Sequence, residues 1–273
     1  MPTKDNFFRT PDGAHIFYEV NGEGTPVVLL HGVFLSSKVF YKNVPELAKS
    51  FKVITADYRG FGYSSKCLQG HSVDQYATDV HNLLRHLNIG KFVLCGWSLS
   101  VTIVLRYIEM FGQDDLLGVV LLDGSCSPFS TEPWNAHVLS GYNMEGLADK
   151  FRKLMDDPAG SARRNAEGWF KDKDGNLEEI AVFTREGLKA PVWSTYAIYY
   201  DYMMTETSQV LASLQVPVMI MTPASNKLRA EHESSLAPKG QMRLFDAAHA
   251  FFCELPDEFN QAFSDFLHAV EQG

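Results

Sequence analysis

Apolar positions along this chain follow two rhythms. The runs "PVVLL" (26–30), "FKVITAD" (51–57), "KFVLC" (91–95), "GVVLLD" (118–123), "PVMIM" (217–221) and "MRLFDA" (242–247) are short, β-branched and almost continuously apolar, the pattern of strands buried on both faces. Between most of them the apolar residues recur at helical spacing, notably over Val73 to Leu87, Ser98 to Phe111 and Asp257 to Val270. Strand–helix alternation predicts an α/β fold, a mostly parallel central sheet flanked by helices. Ahead of it, "HIFYEV" alternates between the turn signals Pro11-Asp12-Gly13 and "NGEGT", which predicts an antiparallel hairpin strand. From about Cys126 to Leu214 helical periodicity continues without a buried strand. The expectation is a core domain of residues 1–125 and 214–273 carrying an inserted helical cap over 126–213.

With 273 residues, 45% of them hydrophobic, the chain is long enough for one large core with such an insertion. The net charge of −9, with no Lys/Arg block, argues against a nucleic-acid or anionic-membrane partner. No basic-then-apolar leader and no apolar run of about 18 residues is present, so neither export nor membrane spanning is expected. Cys67, Cys95, Cys126 and Cys253 lack ligand spacing and read as free thiols in a cytoplasmic protein without a metal site.

The strand "KFVLC" stops at Gly96-Trp97-Ser98-Leu99-Ser100, and a helical pattern resumes at once. With almost no room for a loop, the chain must turn sharply and hold Ser98 strained and exposed, and only small residues two positions to either side permit this. Gly96 and Ser100 meet that need, as in a G-x-S-x-G nucleophile elbow whose last glycine is replaced by serine. Taken alone, Ser98 reads equally as an ordinary helix N-cap. Other features favour chemistry. His249 lies between the last strand and the last helix, where a base for a weakly nucleophilic serine would sit. Other histidines, His137 among them, fall in strand, helix or cap contexts. "LLHGVF" places Gly32-Val33 at a strand end, so that the N–H groups of Val33 and Leu99 can form an oxyanion hole, with His31 bracing the loop. Phe34, Trp97 and Phe251 flank these motifs, Trp134, Trp169, Trp193 and the cluster "WSTYAIYYDYM" (193–203) stand in the cap, and all are candidate linings for an apolar or aromatic small-molecule substrate.

Taken together, His31-Gly32, Asp57-x-Arg59-Gly60-x-Gly62-x-Ser64, Gly96-x-Ser98-x-Ser100 and His249 followed by Glu254-x-Pro256-x-x-Phe259 resemble the α/β-hydrolase superfamily. The resemblance is narrower to its esterase and haloperoxidase-like branch. It implies the α/β-hydrolase fold and a Ser-His-acid triad without cofactor or metal. It also disfavours dehalogenase and epoxide hydrolase activities, which use a carboxylate at the elbow. Most members carry the acid after the seventh strand, where this chain has Asn226. Asp123, at the end of the sixth strand, is the expected acid instead, a placement shared with some lactonases and with cofactor-free dioxygenases of 3-hydroxy-4-oxoquinolines. Glu231 and Glu233 are the remaining candidates. The expected function is hydrolysis of a carboxylic ester or lactone through an acyl-enzyme. The alternatives are a ring-cleaving dioxygenase of the hydroxyquinolone type and a hydrolase-like small-ligand sensor.

Overall fold

The computed structural model describes residues 3–135 and 144–272; His137 lies outside them. Its centre is one eight-stranded sheet in the order β1-β2-β4-β3-β5-β6-β7-β8. The strands are β1 (Phe7–Arg9), β2 (His15–Asn21), β3 (Pro26–Leu30), β4 (Lys52–Ala56), β5 (Phe92–Trp97), β6 (Leu116–Leu122), β7 (Val218–Pro223) and β8 (Gly240–Phe245). β1 and β2 pair antiparallel, as does β2 with β4, and every later pairing is parallel. β1 is absent from the sequence reading because a three-residue strand shows no periodicity. It is set by the turn in which the Thr10 N–H donates to Ala14 O at 2.8 Å.

Every residue of β5 is buried, and so is all of β6 except Leu117, which requires cover on both faces of the sheet. The cover comes from helices: α1 (Val44–Leu47), α2 (Val73–His86), α3 (Ser100–Phe111) and, near the C-terminus, α9 (Lys227–Leu236), α10 (Phe251–Glu254) and α11 (Pro256–Glu271). Ser72 caps α2 by accepting the Gln75 N–H, and the buried stripe Val73, Tyr76, Ala77, Val80, Leu83, Leu84 follows helical spacing. α3 is buried almost all round, through Val101, Ile103, Val104, Leu105 and Ile108, because it fills the centre of one face. It stops at Gly112, whose φ of 84° suits glycine. On α11, Phe266 and Val270 pack over Gly118 of β6.

Between β6 and β7 stand α4 (Met144–Asp156), α5 (Pro158–Gly168), α6 (Leu177–Gly187), α7 (Val192–Met204) and α8 (Ser208–Ser213), with no strand among the described residues of that interval. Asp157 caps α5 ahead of Pro158, the favoured first helical residue. No described helix is long and apolar enough to cross a membrane.

Candidate active site

Three non-glycine residues with left-handed backbone stand at the C-terminal edge of the sheet: Phe34 after β3 (φ 72°), Ser98 after β5 (φ 60°) and Asp123 after β6 (φ 43°). Such conformations cost free energy and persist only where surrounding contacts impose them. Here the strand ends do so. The Ser98 N–H donates to Leu122 O at 2.7 Å, and the Asp123 N–H donates to Met221 O at 2.9 Å. The turns are also crowded. A Cβ on Gly96 would lie 2.4 Å from Ser100 O, and one on Gly124 would lie 2.2 Å from Ser98 O. Ser100 occupies the position of the missing elbow glycine by turning its hydroxyl away, donating to His31 O at 2.5 Å and meeting the Tyr58 hydroxyl at 2.7 Å.

The fold brings Ser98, His249 and Asp123 into one line. His249 Nε2 lies 3.0 Å from Ser98 Oγ, and His249 Nδ1 lies 2.5 Å from Asp123 Oδ2. The geometry suits a neutral imidazole that donates from Nδ1 to the carboxylate and accepts from the serine. The loop bearing His249 is tied on several sides. Trp97 Nε1–H donates to His249 O at 3.1 Å, the Ala250 N–H donates to Trp169 O at 2.9 Å, and Glu254 accepts the N–H of Ala248 at 3.0 Å and those of Lys171 and Asp172. Glu254 therefore bolts the histidine loop to the segment between α5 and α6.

Asp123 is 5% exposed, and its Oδ1 accepts from the Thr222 hydroxyl, Asn226 Nδ2 at 2.7 Å and the Arg229 guanidinium. Burial alone would raise its carboxyl; Arg229 and then His249 outweigh that and hold it well below the usual carboxylate range. Asn226, at the position after the seventh strand where the resemblance would have placed an acid, instead donates to Asp123. Of the remaining candidates, Glu231 lies on the surface beside Lys227. Glu233 is buried and accepts the Cys126 N–H at 2.8 Å, away from His249. Burial pushes its carboxyl up to about 7 against the pull of Arg229.

Val33 and Leu99 flank Ser98, and among the described residues neither N–H donates to a protein acceptor. His31 is fully buried; its Nε2 accepts the Tyr58 N–H at 3.2 Å and its Nδ1 faces Gly32 O at 2.7 Å. Burial depresses its basicity, in keeping with a bracing residue. Asp57 takes the Ser37 and Tyr63 N–H groups, and Arg59 is buried in an ion pair with Asp79.

A cavity of about 440 Å³ opens over the line of three residues. From the core it is lined by Val33, Phe34, Ser98 and His249, and from the helices above by Lys150, Asn165, Trp169 and Tyr199. Of the aromatic residues expected to line it, Phe34, Trp169, Tyr199 and Tyr202 do, while Trp97, Phe251, Trp134 and Trp193 do not. Trp97 is 1% exposed behind His249, its ring packed on Trp169 and Phe252. Phe251 is buried among Phe245, Phe252 and Phe259. Trp134 stacks on His232, and Trp193 is 48% exposed, donating to Cys67 O. Side-chain direction around a helix or a turn decides these cases, and an aromatic tally along the chain does not contain it. Cys126 is buried and absent from the lining. Arg229, Thr222 and Lys150 were missed; the one local signal was Glu233 four positions after Arg229 on the same helix face.

A serine on a strained turn between a parallel strand and a helix, with histidine and carboxylate delivered from later strand ends, defines a hydrolase-type site on a doubly flanked sheet. The chain has the α/β-hydrolase fold, and the family model described as the alpha/beta hydrolase fold matches residues 25–156. It is 24% identical over 275 residues to the AB hydrolase superfamily protein YisY of Bacillus subtilis, covering 97% of this chain and 99% of that one. The structure is similar to a bromoperoxidase from Bacillus anthracis (TM-score 0.85, 25% identity, 94% and 96% of the two chains). Its fold also matches an esterase from Exiguobacterium antarcticum (TM-score 0.87, 20% identity, 96% and 99%).

Proposed function

We propose that the protein is a serine hydrolase that cleaves a carboxylic ester or lactone through an acyl-enzyme. The observation that carries this reading is the continuous line Ser98 Oγ, His249, Asp123, at 3.0 and 2.5 Å, on the floor of a cavity large enough for a small molecule. Ser98 Oγ attacks the carbonyl carbon as its proton passes to His249 Nε2. The imidazolium so formed faces Asp123, whose depressed basicity keeps it charged rather than protonated. The carbonyl oxygen, now an oxyanion, takes the N–H groups of Val33 and Leu99. Collapse breaks the bond to the leaving oxygen, which receives the proton from His249. Water then enters, gives a proton to His249 and attacks the acyl carbon. Breakage of the Ser98 ester releases the acid and returns the proton to Ser98.

The test is labelling with a fluorophosphonate, followed by a panel of p-nitrophenyl esters and lactones. Labelling and turnover that both vanish in Ser98→Ala, with folding retained by circular dichroism, are the expected outcome. Ester turnover unchanged in Ser98→Ala, or no labelling and no turnover in folded native protein, overturns the reading.

A further inference from the structure

Glu233, on α9, is a buried carboxylate that the reaction above does not use and that is absent from the cavity lining. It grips the turn of the acid at two points. Its Oε1 accepts the Cys126 N–H at 2.8 Å, three residues after Asp123, and its Oε2 lies 3.9 Å from Arg229 Nε. Both of these facing atoms are buried, and among the described residues neither has a hydrogen-bond partner. The other side of the guanidinium is committed, since Nη2 donates to Asp123 Oδ1 and, at 3.1 Å, to the Thr222 hydroxyl. One arginine thus stands between two buried carboxylates, hydrogen-bonded to one and within ion-pair distance of the other. Glu233, Arg229, Asp123, His249 and Ser98 follow one another in a continuous line.

Little else that is charged faces Glu233. The segment after β6 presents Asp123 and Cys126, and α7 presents Tyr202; burial pushes the Cys126 thiol and the Tyr202 hydroxyl up, so both stay neutral. Glu206, after α7, lies at the surface and accepts the Ser127 hydroxyl. β7 and α8 carry no titratable side chain, Arg243 of β8 is exposed and paired with Glu258, and His232 stacks on Trp134. The charge on Glu233 therefore acts mainly on Arg229 and, through it, on Asp123. Burial raises the Glu233 carboxyl to about 7 against the pull of Arg229, so that charge appears near neutral pH. Away from solvent, ionic screening does little to weaken it.

We propose that Glu233 is a positioning residue: ionised, it shares Arg229 with Asp123, leaves more of the Asp123 charge to His249, and favours the imidazolium formed as Ser98 attacks. Protonated, it returns Arg229 to Asp123 and that support is lost. The proposal rests on the serine hydrolase reading and makes turnover depend on a carboxyl outside the cavity.

The experiment measures kcat and KM for a p-nitrophenyl ester from pH 5 to pH 9 in the native protein and in Glu233→Gln, which keeps an acceptor for the Cys126 N–H. At pH 5 both proteins hold a neutral side chain there, and their rates are expected to agree within about twofold. At pH 8 the variant is expected to be slower by about three- to tenfold, in kcat rather than KM, the order for one unit charge acting across a buried ion pair. A loss that is the same at every pH is what a purely structural role gives; that result, or no loss at all, overturns the proposal while the hydrolase reading stands. In parallel, the low-field NMR signal of the proton on His249 Nδ1 is followed over the same range in the native protein, which needs neither turnover nor a folded variant. Two steps are expected, one from the imidazole and one from Glu233, the second missing in Glu233→Gln. A single step in the native protein overturns the proposal. Two steps in a protein that shows neither ester turnover nor fluorophosphonate labelling uphold the coupling of Glu233 to His249 and overturn the hydrolase reading; a single step there overturns both.

Discussion

Arg229 and Asp123 form an ion pair in which both side chains are buried and the guanidinium reaches Oδ1, the carboxylate oxygen turned away from His249. The acid thus has two faces. One meets His249 Nδ1, and the other is held by Arg229, Asn226 and Thr222 on and after β7. The carboxylate at the end of β6 is thus held by side chains on and after β7.

Asp123→Asn is expected to lower kcat by about a thousandfold or more, because an amide neither charges the imidazolium nor selects its tautomer. Asn226→Ala removes one of several donors to Oδ1 and should cost less than about tenfold, in the range of a single hydrogen bond. Steady-state rates on one ester, with circular dichroism as the folding control, decide between them. A larger loss in Asn226→Ala contradicts the assignment.

Removal of Arg229 leaves a buried carboxylate with its main counter-charge gone. Arg229→Met is expected to cost about 3 kcal/mol or more at neutral pH, the range for breaking a buried pair from one side. The sign with pH follows from the depressed Asp123 carboxyl. Its contribution is complete above the unfolded value of 3.8 and is lost as pH falls below that toward the lower folded value. In Arg229→Met the folded value rises, so acid unfolding should begin at higher pH than in the native protein. Urea midpoints between pH 3 and 7 measure this.

Glu233 has the opposite sign. Burial raises its carboxyl from 4.5 to about 7, so between those values the folded chain binds a proton that the unfolded chain has lost. This contribution is fully present below 4.5 and disappears as pH rises through about 7. Glu233→Gln keeps an acceptor for the Cys126 N–H and does not titrate. Its stability relative to the native protein is expected to improve steadily from pH 5 to pH 8. A difference that stays flat across that range would show that Glu233 is already charged at pH 5.

Ser100→Gly restores the regular elbow spacing and is nevertheless expected to destabilise the fold by about 1–3 kcal/mol. It leaves His31 O and the Tyr58 hydroxyl, both buried, without the Ser100 hydroxyl. Gly96→Ala should be worse and should also abolish fluorophosphonate labelling, since its Cβ meets the Ser100 carbonyl, which cannot move without carrying the elbow. Thermal melts of both variants against the native chain give the comparison.

The strands of the sheet other than β1, the main helices that flank it, the elbow and the end-of-strand positions of Asp123 and His249 were legible along the chain. Each depends on a local signal: an apolar run of strand length, helical periodicity, or a small residue beside a tight turn. Parallel strands then bring their C-terminal ends to one edge whatever the intervening sequence, which is why residues as distant as Ser98, Asp123 and His249 could be grouped without a structure. The surroundings of that group were not legible. Arg229 is 106 positions from Asp123 and lies on a different element, so nothing nearby in the chain marks the pair. Trp97 and Phe251 sit beside the reactive residues in sequence, yet point into the core, while Trp169 and Lys150 reach the cavity from helices packed above it. Local patterns state which segments form strands and helices and where a turn must be tight. Which faces of separate elements meet, and so which side chains line the cavity over Ser98, is decided only by the packing of the whole chain.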